Sequence, residues 1–414
     1  MTVRRHVTVV GGGAVALALA QRLLVEGHSV RLIAGTAPDQ STAAGSGSMF
    51  SIANVLPLGT TAALRAALPS ILNPGAAISV DWRHLPRMLP WIVRMIRHSG
   101  RSEVERITGA LAALLGPSIE AFRPLIETAS AHDLVRMAGH LVLYDNPAER
   151  EADWKSVEAR RRAGVRAEAI DEDELKQLEP SLPRGRYAAV YFPDSGHIVD
   201  AGALLTRLEA ALVRSGVEVV RDNVVKLETG GGRARRAVGA AAAYDLDVTV
   251  IAAGAWSRPL AAQLGCKLPL EPERGYHLSI PLAKLPINRP IVPIALRMGI
   301  TPQAFGLRVA GTIEFSGLDR PVAEKRLGLL RRGVESVFPE VDASTATTWS
   351  GYRPTLPDWL PVIGPAPHMA DAYFAFGHQH VGLTAAGITA SLIADQIAER
   401  PAQIDLAPYA ATRF

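Results

Sequence analysis

The chain has 414 residues, 48% hydrophobic and 20% charged, enough for a large core and two domains of ordinary size. Its net charge of +4 is modest, and no basic stripe interleaved with aromatics marks it for nucleic acid. The single cysteine, Cys266, excludes an intrachain disulfide and a cysteine-based metal cluster and fits a reducing, cytoplasmic compartment, so no metal is expected.

The opening RRHVTVVGGGAVALALAQRLLVEGHSVRLI reads as a complete βαβ unit. Val7 to Val10 is a β-rich run, Gly11 and Gly13 supply a tight turn without Cβ atoms, and Ala16 stands where such a motif needs Gly or Ala for helix-on-strand packing. A helix is expected from Ala14 to Leu24, ending at Gly27, and a strand from His28 to Ile33. A pyrophosphate can approach the helix N-terminus, where free N–H groups and the helix dipole favour anions. Two arginines ahead of an apolar stretch imitate a secretory signal. The glycines and the absence of a cleavage region instead place the segment in the mature fold. No other segment approaches the roughly eighteen apolar residues of a membrane span, so a soluble or at most peripheral protein is expected.

After Ile33 comes a small-residue loop, APDQSTAAGSGSMFS, that can lie against a cofactor. Helices are expected over Ala62 to Leu68 and Asp81 to Arg101, the second carrying Arg83, Arg87, Arg94, Arg97 and Arg101. A basic amphipathic helix can sit on an anionic bilayer. Pro86 and Pro90 break the stripe and favour a helix packed on its own domain with solvated arginines. Helical segments follow from Glu103 to Ala131, then the strand HLVLYD and a charged helix from Glu149 to Ala163.

YAAVYFPDSGHIVDAGALLTRLEAALVRSGVEVVRDNVVKLE repeats the grammar of strand, turn, helix and strand, with Asp200 as N-cap and Gly216 as stop. After a Gly- and Arg-rich hairpin, Val248 to Ala252 reads as a buried parallel strand ending in Ala253, Gly254 and Ala255. WSGYRPTLPDWLPVIGPAP is turn-rich, with Arg353 between Tyr352 and Pro354. FAFGHQHVGLTAAGITASLIADQIAE is a strand, a glycine-bearing turn and a small-residue helix. Nucleotide-domain pieces thus fall at the start, middle and end of the chain, predicting interleaved domains: 1–75, 195–265 and 345–414 in a cofactor domain, 76–194 and 266–344 in a substrate domain.

At VVGGGAVALALAQRLLVEGHSV, VIAAGAWSRPLAAQLG, LEPERGYHLSIP, GYRPTLPDWLPVIG, FAFGHQHVGLT and DLAPYAATRF the chain resembles the FAD-dependent D-amino acid oxidase and dehydrogenase family, nearest the D-amino acid dehydrogenases of the D-hydroxyproline type. The resemblance implies an α/β fold: an FAD-binding Rossmann-like domain of the glutathione-reductase type interleaved with an α+β substrate domain. Gly11 and Gly13, with Ala14 and Val15, would cradle the pyrophosphate of FAD. Ser41, Ala43, Ala44 and Ser46 would line the cofactor from the next loop, Val224 would lie by the adenine, and Ala253, Gly254 and Trp256 would close over the dinucleotide. The turn of Gly377, His378, Gln379, His380, Val381, Gly382, Leu383 and Thr384 would face the flavin. Its backbone would donate hydrogen bonds to the pyrimidine carbonyls. Gly351 and Arg353 would also border the flavin. Arg353, from the G-x-R-P segment, would bind the substrate carboxylate, a task suited to a planar guanidinium with paired donors. Tyr276 and His277 would sit at the domain interface near the substrate, Tyr276 serving packing or a hydroxyl contact. His378 and His380 are each open between a core role and a catalytic one.

The implied reaction is oxidation of the CH–NH bond of a D-amino acid or cyclic imino acid, such as D-proline or D-hydroxyproline, by hydride transfer to the flavin, giving an imine. A neutral amine needs no strong general base, and no acid/base dyad is nominated. Electrons would leave to a quinone, a partner subunit or oxygen, with a peripheral inner-membrane contact and a hetero-oligomer both left open. The sequence departs from the family at Ala34, where an acidic residue normally accepts both ribose hydroxyls. Its loss would weaken FAD binding by roughly 1–3 kcal/mol, with Asp39 a substitute acceptor. Bulk at Met49, Phe50 and Gln379 would alter the pocket beside the flavin. Two other readings stand beside the enzyme: an FAD-fold subunit of a heteromeric amine or opine oxidase with little activity of its own, and a nicotinamide enzyme of Rossmann type.

Overall fold

The computed structural model describes residues 4–61, 65, 73, 76–183, 185, 188–282, 284 and 287–414. Apart from Arg65, the helix expected over Ala62 to Leu68 lies outside the described residues.

The apolar runs at the start, middle and end of the chain assemble into one sheet. Its order is Glu218–Val220, Ser29–Ile33, His6–Val10, Val248–Ile251, Ala372–Phe376 and Val362–Pro365 among the described residues. The first five run parallel, and Val362–Pro365 closes the edge antiparallel. Every residue of Val248–Ile251 is buried, as a strand covered on both faces requires. The helix Ala14–Val25 packs on Ala386–Ile397, which in turn lies on Ser118–Thr128. Both Ala14–Val25 and Ala386–Ile397 are rich in alanine, so their backbones approach closely in the main hydrophobic core. The helix Ala201–Arg214 joins this layer, and Asp200 caps it by accepting a 2.8 Å hydrogen bond from the Ala203 N–H.

The second sheet has nine strands among the described residues and is built around Glu271–Pro281, which pairs antiparallel with Gly306–Phe315 on one side and Thr347–Thr355 on the other. Beyond Gly306–Phe315 follow Met298–Gln303, Ile291–Pro293, His140–Tyr144, Ala188–Phe192 and Glu168–Ile170, with Ile78–Val80 also paired to Gly306–Phe315. The helix Glu324–Val337 seals this sheet through Leu327, Leu330 and Val334 against Leu278 and Val309.

Two expectations are corrected here. The segment from Trp349 is not a run of turns, because Thr347–Thr355 is a nine-residue strand. Pro354 is tolerated since the strand is the sheet's edge, where a missing N–H breaks no ladder. The second correction concerns the arginine-bearing helix, which spans Leu85–Arg97 rather than starting at Asp81. Pro86 sits in its first turn, where no N–H is needed, and the helix continues through Pro90. The apolar stripe therefore survives. Met88, Trp91 and Met95 face inward, while Leu89, Val93 and Ile96 form a second, exposed apolar row beside Arg87, Arg94 and Arg97.

Candidate active site

The five parallel strands release the chain at one edge, where open α/β sheets bind their ligands. A cavity of about 1130 Å³ lies there, beyond the roughly 300–1,000 Å³ of ordinary small-molecule pockets. Each strand contributes to its wall: Gly11 to Val15 after the first, Gly35 and Thr36 after Ser29–Ile33, Asp222 to Val225 after Glu218–Val220, Ala252 to Gly254 after Val248–Ile251, and His378 with Gln379 after Ala372–Phe376. Gly11 holds φ +144°, and a Cβ there would fall 2.7 Å from the Ala252 carbonyl carbon and nearer still to its oxygen. Only glycine lets these two strand ends close together.

The helix behind Gly13 has no side-chain cap and no acid in its first turn. Its N–H groups are free for an anion such as a pyrophosphate. Further along the wall, Gln379 Nε2 and Thr312 Oγ1 are buried without any protein partner. An orphaned buried polar group costs roughly 1–3 kcal/mol, a penalty that a bound ligand removes. Glycine cradle, free helix N-terminus and orphaned donors together fit a dinucleotide cofactor with room left for a substrate.

The substrate end is built on cross-strand pairs. Register places Glu273 opposite Arg353, Gly275 opposite Gly351 and His277 opposite Trp349. Glu273 is wholly buried, and its carboxylate accepts from Arg353 Nη1 at 2.6 Å and from the Thr355 hydroxyl at 3.0 Å. His380 Nε2 lies 2.9 Å from the same carboxylate. Burial by itself pushes the Glu273 carboxyl up, but the Arg353 guanidinium and the His380 imidazole beside it outweigh burial and hold the group down at about 2. Arg353 spends Nη1 on Glu273 and on the Thr312 carbonyl, at 3.4 Å. Its other nitrogens have no protein partner among the described residues, and the side chain, 18% exposed, borders the cavity.

Most residues expected from the sequence meet on this wall: Gly11, Gly13, Ala14, Val15, Ser41, Ala43, Ser46, Val224, Ala253, Gly254, Trp256, Tyr276, Gly351, Arg353, His378, Gln379, His380, Gly382 and Leu383. Others lie off it. Ala34 is fully buried with its methyl beneath Gly12, and its N–H donates to the Val220 carbonyl. Asp39 and Ala44 line a separate cavity with Asp200 and Arg308, so Asp39 is not the substitute ribose acceptor. Gln40 and Asn223, by contrast, line the main cavity.

Gly377 packs against Leu356. The Val381 N–H is taken by the His378 carbonyl within the turn, and the Thr384 hydroxyl accepts from the Ser51 N–H. His277 is covered by Trp349, stacked at 5.0 Å, and its Nδ1 lies 2.7 Å from the Gly45 carbonyl oxygen. Burial, with Arg308 adding, pushes it down to about 4. The Tyr276 hydroxyl donates to Glu314, away from the cavity. His378 pairs with the Thr389 hydroxyl at 2.9 Å, and burial pushes it down to about 3. Of the expected bulk, Met49 and Gln379 border the cavity, whereas Phe50 turns into the core against Phe122.

Glu273, Thr312 and Asn223 are wall or support residues that the sequence did not single out. Arg308 is another: it donates to the Ala44 and Ser46 carbonyls and the Ser48 hydroxyl, fixing the loop behind the cavity. For Glu273 a signal existed in ERGYH, an acidic residue two positions from a glycine on one face of a strand.

Comparison with known proteins bears on the cofactor. The profile of the FAD dependent oxidoreductase family matches residues 6–396. The chain belongs to this family. It is 33% identical over 421 residues to a D-amino-acid oxidase of Bradyrhizobium diazoefficiens, covering 99% of both proteins. To a D-amino acid dehydrogenase of Rhizobium rhizogenes it is 28% identical, again covering 99% of each. Among solved structures, glycine oxidase from Geobacillus kaustophilus has a TM-score of 0.74 at 20% identity, with 99% of both chains covered. Iminodiacetate oxidase from Chelativorans sp. BNC1 has 0.72 at 21%, with 98% of both covered. These likenesses show the same fold. The protein is thus an FAD-dependent oxidoreductase, and its cofactor is FAD rather than a nicotinamide. Among the described residues no helix is long and apolar enough to cross a membrane.

Proposed function

We propose that this family member oxidises the CH–NH bond of an amino acid to an imine, with D-amino acids or cyclic imino acids of the D-proline and D-hydroxyproline kind as substrates. The observation that carries the reading is Arg353: a guanidinium on the cavity wall, anchored by one nitrogen to buried Glu273 and holding its remaining donors free. Such a group suits a carboxylate, for which two charge-assisted hydrogen bonds also fix orientation. FAD supplies the acceptor for the hydride that leaves the α-carbon. Gly11 to Gly13 would hold its pyrophosphate, and Gln379 with the turn after Gly377 would border its ring. Trp349, Met49 and Met298 supply apolar wall that excludes water. The relatives named as D-amino-acid oxidase and D-amino acid dehydrogenase favour the D series.

Among electron acceptors, a membrane-borne quinone is favoured by the exposed row Leu89, Val93 and Ile96 beside Arg87, Arg94 and Arg97. Apolar and cationic rows side by side suit an anionic bilayer surface. The helix follows directly on Ile78–Val80, whose Ile78 borders the cavity.

The test is anaerobic mixing of the FAD-loaded enzyme with the D and L forms of alanine, proline and hydroxyproline, followed by visible absorption. Bleaching by D-amino acids or cyclic imino acids supports the reading. A flavin that dithionite reduces but none of these compounds bleaches refutes it and returns the protein to the role of a subunit without activity of its own.

A further inference from the structure

Glu273 binds two groups on the cavity wall at once, the Arg353 guanidinium and the His380 imidazole. His380 is 31% exposed and holds Nε2 2.9 Å from the buried carboxylate, while its Nδ1 has no protein partner among the described residues. This is the arrangement in which a carboxylate fixes an imidazole's tautomer and stabilises its protonated form. The other candidates are already engaged. His277 is covered by Trp349 and bound to the Gly45 carbonyl, His378 is bound to Thr389, and the Tyr276 hydroxyl donates to Glu314. The charged groups meeting His380 are Glu273 from Glu271–Pro281 and, across that carboxylate, Arg353 from Thr347–Thr355. His378 on its own turn is buried and neutral.

An amino acid reaches the cavity as a zwitterion, and an ammonium nitrogen has no lone pair with which to expel a hydride from the neighbouring carbon. On the amino acid reading above, we propose that His380, positioned by Glu273, takes the proton from the substrate's ammonium group while Arg353 holds its carboxylate. One N–H bond of the ammonium breaks, its electron pair stays on nitrogen, and the proton passes to Nδ1. The imidazolium charge is then balanced by Glu273, and the step consumes no oxidant or reductant. One buried carboxylate so sets the spacing of both groups that recognise the substrate. Nothing in the sequence alone pairs Glu273 with His380, because they meet only through the fold.

The experiment is the pH profile of kcat/KM for wild type, His380→Gln and Glu273→Gln, each loaded with FAD, with an amino acid that bleaches the wild-type flavin. His380→Gln keeps an N–H donor for Glu273 at the reach of Nε2 but cannot take a proton. Its kcat/KM at neutral pH should fall roughly 100- to 10,000-fold. The remaining rate should climb tenfold per pH unit up to the substrate's own ammonium pKa, because only substrate arriving neutral reacts. The flavin spectrum, and the Kd of benzoate read from its perturbation, should stay within a few-fold of wild type. Glu273→Gln removes the anion that stabilises the imidazolium, so its acid limb should move to lower pH. A His380→Gln profile that keeps the wild-type acid limb overturns the proposal and leaves the amino acid reading intact. So does loss of benzoate affinity matching the loss of rate. A wild-type enzyme that no amino acid reduces overturns both.

Discussion

Replacing Gly275 by alanine should displace the Arg353 guanidinium while leaving the fold in place. A methyl there would stand 2.7 Å from Arg353 Nη1 and closer to Cζ and Nη2, whereas carbon and nitrogen need about 3.5 Å. The obstacle is the far end of a flexible side chain, so the guanidinium yields by about 1 Å and the strand does not. Gly275 lies within Glu271–Pro281, in a backbone conformation open to any residue, so the strand itself is not strained, and the loss of stability, roughly 1.5–3 kcal/mol, comes from the weakened pair with buried Glu273. The displaced guanidinium loses its alignment with Glu273 and with any carboxylate in the cavity. One charge-assisted hydrogen bond is worth roughly 1.5–3 kcal/mol, so kcat/KM should drop roughly 10- to 150-fold. Steady-state kinetics, the benzoate Kd and the thermal midpoint check this together. A variant with wild-type benzoate affinity and turnover would show that Arg353 does not receive the carboxylate.

The glycines of the first turn should behave differently from each other. Gly11→Ala forces an alanine to φ +144° against the Ala252 carbonyl, costing roughly 1–3 kcal/mol in strain alone, so both thermal midpoint and FAD content should fall. Gly13→Ala meets nothing within 4 Å, so the apoprotein should melt as wild type while FAD binds more weakly, read by fluorescence titration. His277 is held at about 4 in the fold against roughly 6.5 when unfolded. The unfolded chain therefore binds the proton first, and stability is lost as pH falls from about 6.5 toward 4, by at most about 3 kcal/mol for this residue. His277→Gln should make the fall of the urea midpoint across that window less steep, with buried His378, His140 and His197 keeping the remainder, and an unchanged slope would contradict the assignment. Vesicles containing phosphatidylglycerol should co-sediment the protein, phosphatidylcholine vesicles much less, and Leu89→Ser with Val93→Ser and Ile96→Ser should abolish the difference.

The parts legible in the sequence share one property: their physics is local. The βαβ opening, the Asp200 cap and the buried run at Val248 each follow from neighbours in the chain, and all three stand in the structure. The motif around Arg353 is legible and the residue lies on the cavity wall, but its partner Glu273 is not legible there. The pairing of Glu273 with Arg353 depends on register between strands about eighty residues apart, and the prolines around Arg353 argued for turns. The surroundings of His277 are hidden in the sequence for a related reason. His277 shares a strand face with Gly275, yet an indole from the neighbouring strand covers it, and only assembled packing decides that. Likewise Pro86 and Pro90 looked like breakers, but the first-turn position of Pro86 lets the helix form around them.

The most direct test is a crystal structure of the FAD-bound enzyme with benzoate. The account predicts the pyrophosphate over Gly11 to Gly13 and the carboxylate on the edge of Arg353 that faces away from Glu273, within reach of the flavin ring. A carboxylate bound elsewhere, with Arg353 engaged only by protein, would contradict it.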